Sequence, residues 1–149
     1  MKNEAKTLPT TYLLLLLVVN ITLSFLAIGS FIPFPYNLTG LVFIFLGISI
    51  NIWADNIFKT KKTTVKPYES PSILVTKGPF KISRHPMYLG FVLILLGLVV
   101  VMDNVFGSVT PIVMFLILDR NYIPKEEREL EKTFGKRYLE YKTQVRRWL

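Results

Sequence analysis

The stretch GPFKISRHPMYLGFVLILLGLVVVM, Gly78–Met102, decides the fold. A basic loop holding the only histidine of the chain runs through Arg84, His85 and Pro86 into a long apolar segment. Proline lacks a backbone donor, suits the first turn of a helix and biases the preceding residue away from helical geometry. The helix is therefore expected to begin at Pro86, with His85 as its cap and Arg84 just outside. The free amides of that first turn are suited to an anionic ligand group.

Working outward, three more apolar segments appear. The 149 residues are 51% hydrophobic, with a mean hydropathy of +0.42, more than a soluble domain of this size usually carries. The expected fold is all-α: one integral membrane helical bundle over residues 1–149, with spans at Thr11–Phe31, Leu38–Phe58, Pro86–Asp103 and Val105–Asp119. The third and fourth are read as a helical hairpin. The first is kept as a membrane helix, being too long for a signal peptide core and lacking a small-residue cleavage site before Pro33. The absence of cysteine excludes disulfides and thiolate chemistry, and with one histidine a histidine-based metal cluster is not expected.

Orientation follows from lysine and arginine. Lys2 and Lys6 precede the first span, seven basic residues lie from Lys59 to Arg84 and nine from Arg120 onward, which accounts for all 18. Both termini and the central loop are thus expected on the cytoplasmic side, where basic residues are retained. Anionic lipid headgroups explain the net charge of +8. Nucleic acid is excluded as a partner, since no recognition motif accompanies the charge. Polar groups also gather at this rim: Asn51 and Asp55 on one face of the second helix, and Asp119, Arg120 and Asn121 closing the fourth. Ionisable groups so placed are costly unless paired or used.

The tail IPKEERELEKTFGKRYLEYKTQVRRWL differs in kind. Pro124 suits a first helical position, and Glu126 and Glu127 complement the helix dipole. Leu130, Phe134, Tyr138, Tyr141, Val145 and Trp148 then form one apolar and aromatic stripe. An amphipathic cytoplasmic helix from Pro124 to Arg146 is expected, with Gly135 as a candidate break. It either lies along the membrane surface or covers the mouth of the bundle.

Two blocks together carry a resemblance. Arg84, His85, Pro86 and Tyr88, followed by Glu126, Glu127, Leu130, Phe134, Gly135, Tyr138 and Tyr141, resemble the pattern of the isoprenylcysteine carboxyl methyltransferase family and its relatives, the phospholipid methyltransferases. The likeness covers roughly the second half of the chain. It implies methyl transfer from S-adenosylmethionine to a lipophilic substrate at the cytoplasmic rim. The cofactor is then expected among Arg84, His85, Tyr88, Glu126, Glu127 and Tyr138, with Arg84 and Glu127 closest to the chemistry. Arg84 would grip the cofactor carboxylate, and His85, Glu126 or Glu127 its hydroxyls and adenine. No metal is needed, because methyl transfer from a sulfonium depends on positioning and field. Carboxylate and amine acceptors both remain open. A nicotinamide-dependent membrane reductase and a non-catalytic lipid-binding scaffold are the rival readings; the acidic tail argues against the first, and the paired motifs go unexplained by the second.

Overall fold

A computed structural model describes residues 7–26, 31–61 and 72–149, and every regular element among them is helical. Six α-helices follow in order: α1 Pro9–Ser24, α2 Gly40–Lys61, α3 Pro86–Val101, α4 Val109–Ile117, α5 Ile123–Phe134 and α6 Lys136–Gln144. A five-residue π-turn, Leu118–Tyr122, joins α4 to α5. The helix over Tyr36–Lys61 is long and apolar enough to cross a membrane; Pro9–Ser24 and Pro86–Val101 are shorter apolar helices.

α3 is the central helix. Leu16 of α1, Tyr88, Phe91 and Leu95 of α3, Met114 of α4 and Leu118, Tyr122 and Ile123 beyond it form one buried cluster. α2 runs antiparallel to α3 at backbone contact, because glycines face each other: a Cβ on Gly47 would lie 2.6 Å from the Gly90 carbonyl oxygen, and one on Gly97 2.5 Å from that of Gly40. Small residues permit such close approach between apolar helices. Leu14, Leu15 and Val18 of α1, and Val42, Phe45 and Ile52 of α2, are exposed. Apolar side chains thus cover the outside as well as the inside, as in a bundle solvated by lipid.

A buried polar knot holds the end of the bundle away from Pro86. Asn20 Nδ2 donates to Thr110 Oγ1 at 2.7 Å and to the Gly107 carbonyl at 3.3 Å, and Asn104 Nδ2 donates to the Asn20 carbonyl at 3.2 Å. Asp103 accepts from the amides of Phe31 and Ile32, each at 2.9 Å.

Several expected boundaries move. α1 stops at Ser24 rather than Phe31, since the Ser24 hydroxyl takes the Ile21 carbonyl and the amides of Phe25 and Leu26 reach back three residues, tightening the last turn. The second apolar helix starts with a 3-10 turn, Tyr36–Thr39, and continues to Lys61 instead of Phe58. The fourth segment is divided among a 3-10 turn, α4 and the π-turn. The tail is two helices, because Gly135 has φ +52 and breaks the ladder. α6 ends at Gln144 and Val145 is extended, so Val145 and Trp148 leave the helical stripe.

Candidate functional site

α3 begins at Pro86, and His85 is its N-cap with φ −126. The His85 side chain makes no capping hydrogen bond. Ser83 Oγ instead accepts from the His85 amide at 3.1 Å, leaving the imidazole to turn toward the tail.

There it meets α5, where Glu127 is buried and central. Arg84 Nη2 and Nε donate to Glu127 Oε1 at 2.7 and 3.2 Å. Arg84 Nη1 donates to the carbonyls of Val145 and Lys142 at 2.9 and 3.1 Å. A guanidinium has five donors, and most of these are already committed within the protein. On the other side, Arg147 Nη2 donates to Glu127 Oε2 at 3.0 Å. The His85 ring lies between two carboxylates, with Nδ1 3.5 Å from Glu126 Oε2 and Nε2 3.5 Å from Glu127 Oε1. It stacks on Tyr88, centroids 5.7 Å apart and planes at 7°.

Burial penalises charge here and the partners overcome it. For His85, burial works against the imidazolium, and Glu126 and Glu127 outweigh it, raising the pKa above 6.5. For Glu127, burial alone would raise the carboxyl, but His85, Arg147 and Arg84 hold it well below the usual carboxylate range. Burial, reinforced by the charge of Glu127, pushes the Tyr138 phenol up.

All six residues expected at the site gather here: Arg84, His85 and Tyr88 at the head of α3, Glu126 and Glu127 on α5 and Tyr138 on α6. Among the described residues, three buried atoms of this group, His85 Nε2, Glu126 Oε2 and Tyr138 Oη, have no hydrogen-bond partner, the first two meeting only the 3.5 Å ion-pair contacts. Asn51 and Asp55 are not part of the group. Asn51 donates to the Gly47 carbonyl at 2.8 Å along the glycine seam, and Asp55 pairs with Lys59 at 2.5 Å.

Sequence reasoning missed a strap, Val145–Leu149. Its Arg146 carbonyl accepts from the Arg84 amide at 3.0 Å, and its Arg147 carbonyl accepts from Ser83 Oγ at 3.1 Å. Tyr141 secures the neighbouring loop by donating to the Phe80 carbonyl at 2.6 Å. No local signal marked the strap, because Val145 and Trp148 keep the helical spacing of the stripe and the contacts that pull them out are distant in sequence.

The chain is similar in sequence to several known proteins. Protein-S-isoprenylcysteine O-methyltransferase B of Arabidopsis thaliana is 36% identical over 72 residues, 48% of this chain and 36% of that protein. Protein-S-isoprenylcysteine O-methyltransferase of Saccharomyces cerevisiae is 36% identical over 91 residues, 61% of this chain and 36% of that protein. An uncharacterized protein of Haemophilus influenzae is 40% identical over 63 residues, 42% of this chain and the whole of that protein. The chain thus spans well under half the length of its plant and yeast relatives. The phospholipid methyltransferase family model matches residues 36–137, most of the chain and both the Arg84–Tyr88 and Glu126–Glu127 sides of the site, and the chain belongs to that family.

Proposed function

We propose that the protein is an S-adenosylmethionine-dependent methyltransferase acting at the cytoplasmic rim of a membrane on a lipophilic acceptor. One observation carries the reading: the buried Arg84–Glu127 pair joins residues 43 positions apart and gathers around it polar atoms that lack a hydrogen-bond partner among the described residues. Buried polar atoms are rarely left unsatisfied without a functional reason.

Those atoms fit a polar, cationic cofactor. The imidazole nitrogen, the Glu126 oxygen and the Tyr138 hydroxyl offer hydrogen bonding to its hydroxyls and adenine. Glu126 and Glu127 supply negative charge, and Tyr88 supplies an aromatic face for a cation. His85, Tyr88, Glu126 and Tyr138 would therefore hold the cofactor, with Glu127 as the wall behind them. When bound, S-adenosylmethionine supplies an electrophilic methyl group on a sulfonium. Tyr138 keeps its proton as a hydrogen-bond donor, because burial and the Glu127 charge oppose its ionisation. Arg84 acts through Glu127: its donors are spent on that carboxylate and on the Lys142 and Val145 carbonyls rather than on a ligand carboxylate. Fixed charges and dipoles of this kind can supply most of the catalysis of a displacement that needs no base.

The membrane part of the reading rests on the exposed apolar belts of α1 and α2 and on the charge distribution. Every lysine and arginine among the described residues lies toward the site end, and the opposite turns, Phe31–Thr39 and Asp103–Ser108, carry none. That asymmetry favours a cytoplasmic site. The O-methyltransferase names of two relatives favour an oxygen acceptor, and a carboxylate is already ionised at neutral pH.

Calorimetry on the detergent-solubilised protein tests the proposal. Heat with S-adenosylhomocysteine and none with reduced nicotinamide nucleotide is expected. The reverse result would replace the proposal with a membrane reductase, and no heat with either ligand would leave a lipid-binding scaffold.

A further inference from the structure

Asp119 lies in the π-turn, a geometry that recurs at functional sites. Its Oδ1 accepts from Trp148 Nε1 at 3.0 Å and from Arg147 Nη1 at 3.3 Å. Both donors belong to the strap. The same Arg147 guanidinium reaches Glu127 through Nη2 at 3.0 Å and Nε at 3.4 Å. A line of alternating charge, Asp119–Arg147–Glu127–Arg84, thus runs from the end of the bundle into the site.

The two arginines on Glu127 are held differently. The Arg84 side chain is 8% exposed and fastened to backbone carbonyls, whereas the Arg147 side chain is 37% exposed and fastened only to carboxylates. Arg147 is therefore shared between two carboxylates, with Asp119 the one that lies outside the site. Trp148 adds a second attachment, since its ring lies 4.7 Å from that of Phe115 while its N–H is held by Asp119.

We propose that Asp119 is a positioning residue of the site: through Arg147 and Trp148 it fastens the strap against Glu127 and so fixes the carboxylate that backs the ligand. The proposal rests on the cofactor reading above only for what the site binds. Asp119 itself touches no ligand. Its place at the rim marked Asp119 in the sequence as a group to be paired or used, but not its partners, which lie 28 and 29 positions later.

The test uses the full chain in a Trp53→Phe background, which leaves Trp148 as its one remaining tryptophan. Trp53 is exposed on α2 and takes no part in the site. Acrylamide quenching of Trp148 reports the strap, and titration with S-adenosylhomocysteine reports the site. Asp119→Asn should raise the quenching constant severalfold and weaken S-adenosylhomocysteine about tenfold, the scale of losing one charge-assisted contact. Asp119→Glu, which keeps the carboxylate, should recover most of both. Trp148→Phe keeps a ring against Phe115 but removes the N–H donor, and should weaken the ligand by a smaller factor than Asp119→Asn. Unchanged quenching in Asp119→Asn overturns the proposal whatever the ligand, as does a parent-like affinity in Asp119→Asn when the parent binds. Raised quenching in a protein whose parent binds no S-adenosylhomocysteine supports the strap and overturns the cofactor reading instead.

Discussion

Glu127 receives both arginines, and its charge state organises its neighbours. Removing Arg84 leaves a buried carboxylate without its main partner and frees the carbonyls of Lys142 and Val145. Breaking a buried pair in this way costs about 3–5 kcal/mol. Arg84→Ala is therefore expected to lower the thermal unfolding midpoint by roughly 6–20 degrees and to lose S-adenosylhomocysteine binding. Arg84→Lys should rescue little, since an ammonium cannot reproduce the planar fork across Glu127 and two carbonyls. A Lys variant with parental stability would show that charge alone is enough.

The pH dependence follows from the same residues. His85 has a folded pKa raised above 6.5, so its stabilisation is fully present below that value and is lost as pH rises through the higher folded value. Glu127 is lowered, so its stabilisation is present above 4.5 and is lost as pH falls through a folded value far below it. The stability advantage of the parent over His85→Gln should accordingly shrink as pH is raised from about 6 to 9. Thermal melts of the two proteins across that range measure it, and a widening gap would refute the assignment of a charged His85.

The elements show what the sequence made readable and what it hid. The start of α3 was legible because proline dictates it locally, and the tail helix was legible because its stripe keeps a helical period. The break at Gly135 was visible as a residue type, but not the strap that follows, which takes its shape from Ser83, Arg84 and Asp119 far away in sequence. The α2–α3 seam was hidden for a related reason. Gly40, Gly47, Gly90 and Gly97 look like scattered glycines in apolar runs until the helices are laid side by side. Gly97→Ala would press a methyl against the Gly40 carbonyl, and is expected to cost about 1–3 kcal/mol by overpacking. Phe45→Ala on the exposed face of the partner helix α2 should change the midpoint little. Equal losses in the two variants would show that the seam is loose.

At the scale of the molecule, the gathering of basic residues at one end of the bundle is the feature composition reported most directly. The site occupies that same end, so topology and function are tested together. The chain has no cysteine, which makes single-cysteine labelling clean. In sealed vesicles of defined orientation, a cysteine replacing Ser108 should react with an impermeant maleimide from the outer face, and one replacing Lys125 only from the cytoplasmic face. Both positions are exposed and lie at opposite ends of the bundle. Reaction of both from the same side would show that α3 and α4 do not cross.

The knot at Asn20 also has a bearing on how the chain assembles. Its amide finds the Gly107 carbonyl 87 positions later and the Thr110 hydroxyl 90 positions later. If the bundle is assembled in a bilayer from its amino end, α1 would enter before either partner exists, carrying a polar amide that hydrocarbon does not satisfy. On that order of synthesis, its amide would gain these partners only with the α3–α4 hairpin. The hairpin that carries half of the site would then complete the placement of the first helix, closing the second half of the protein back onto the first.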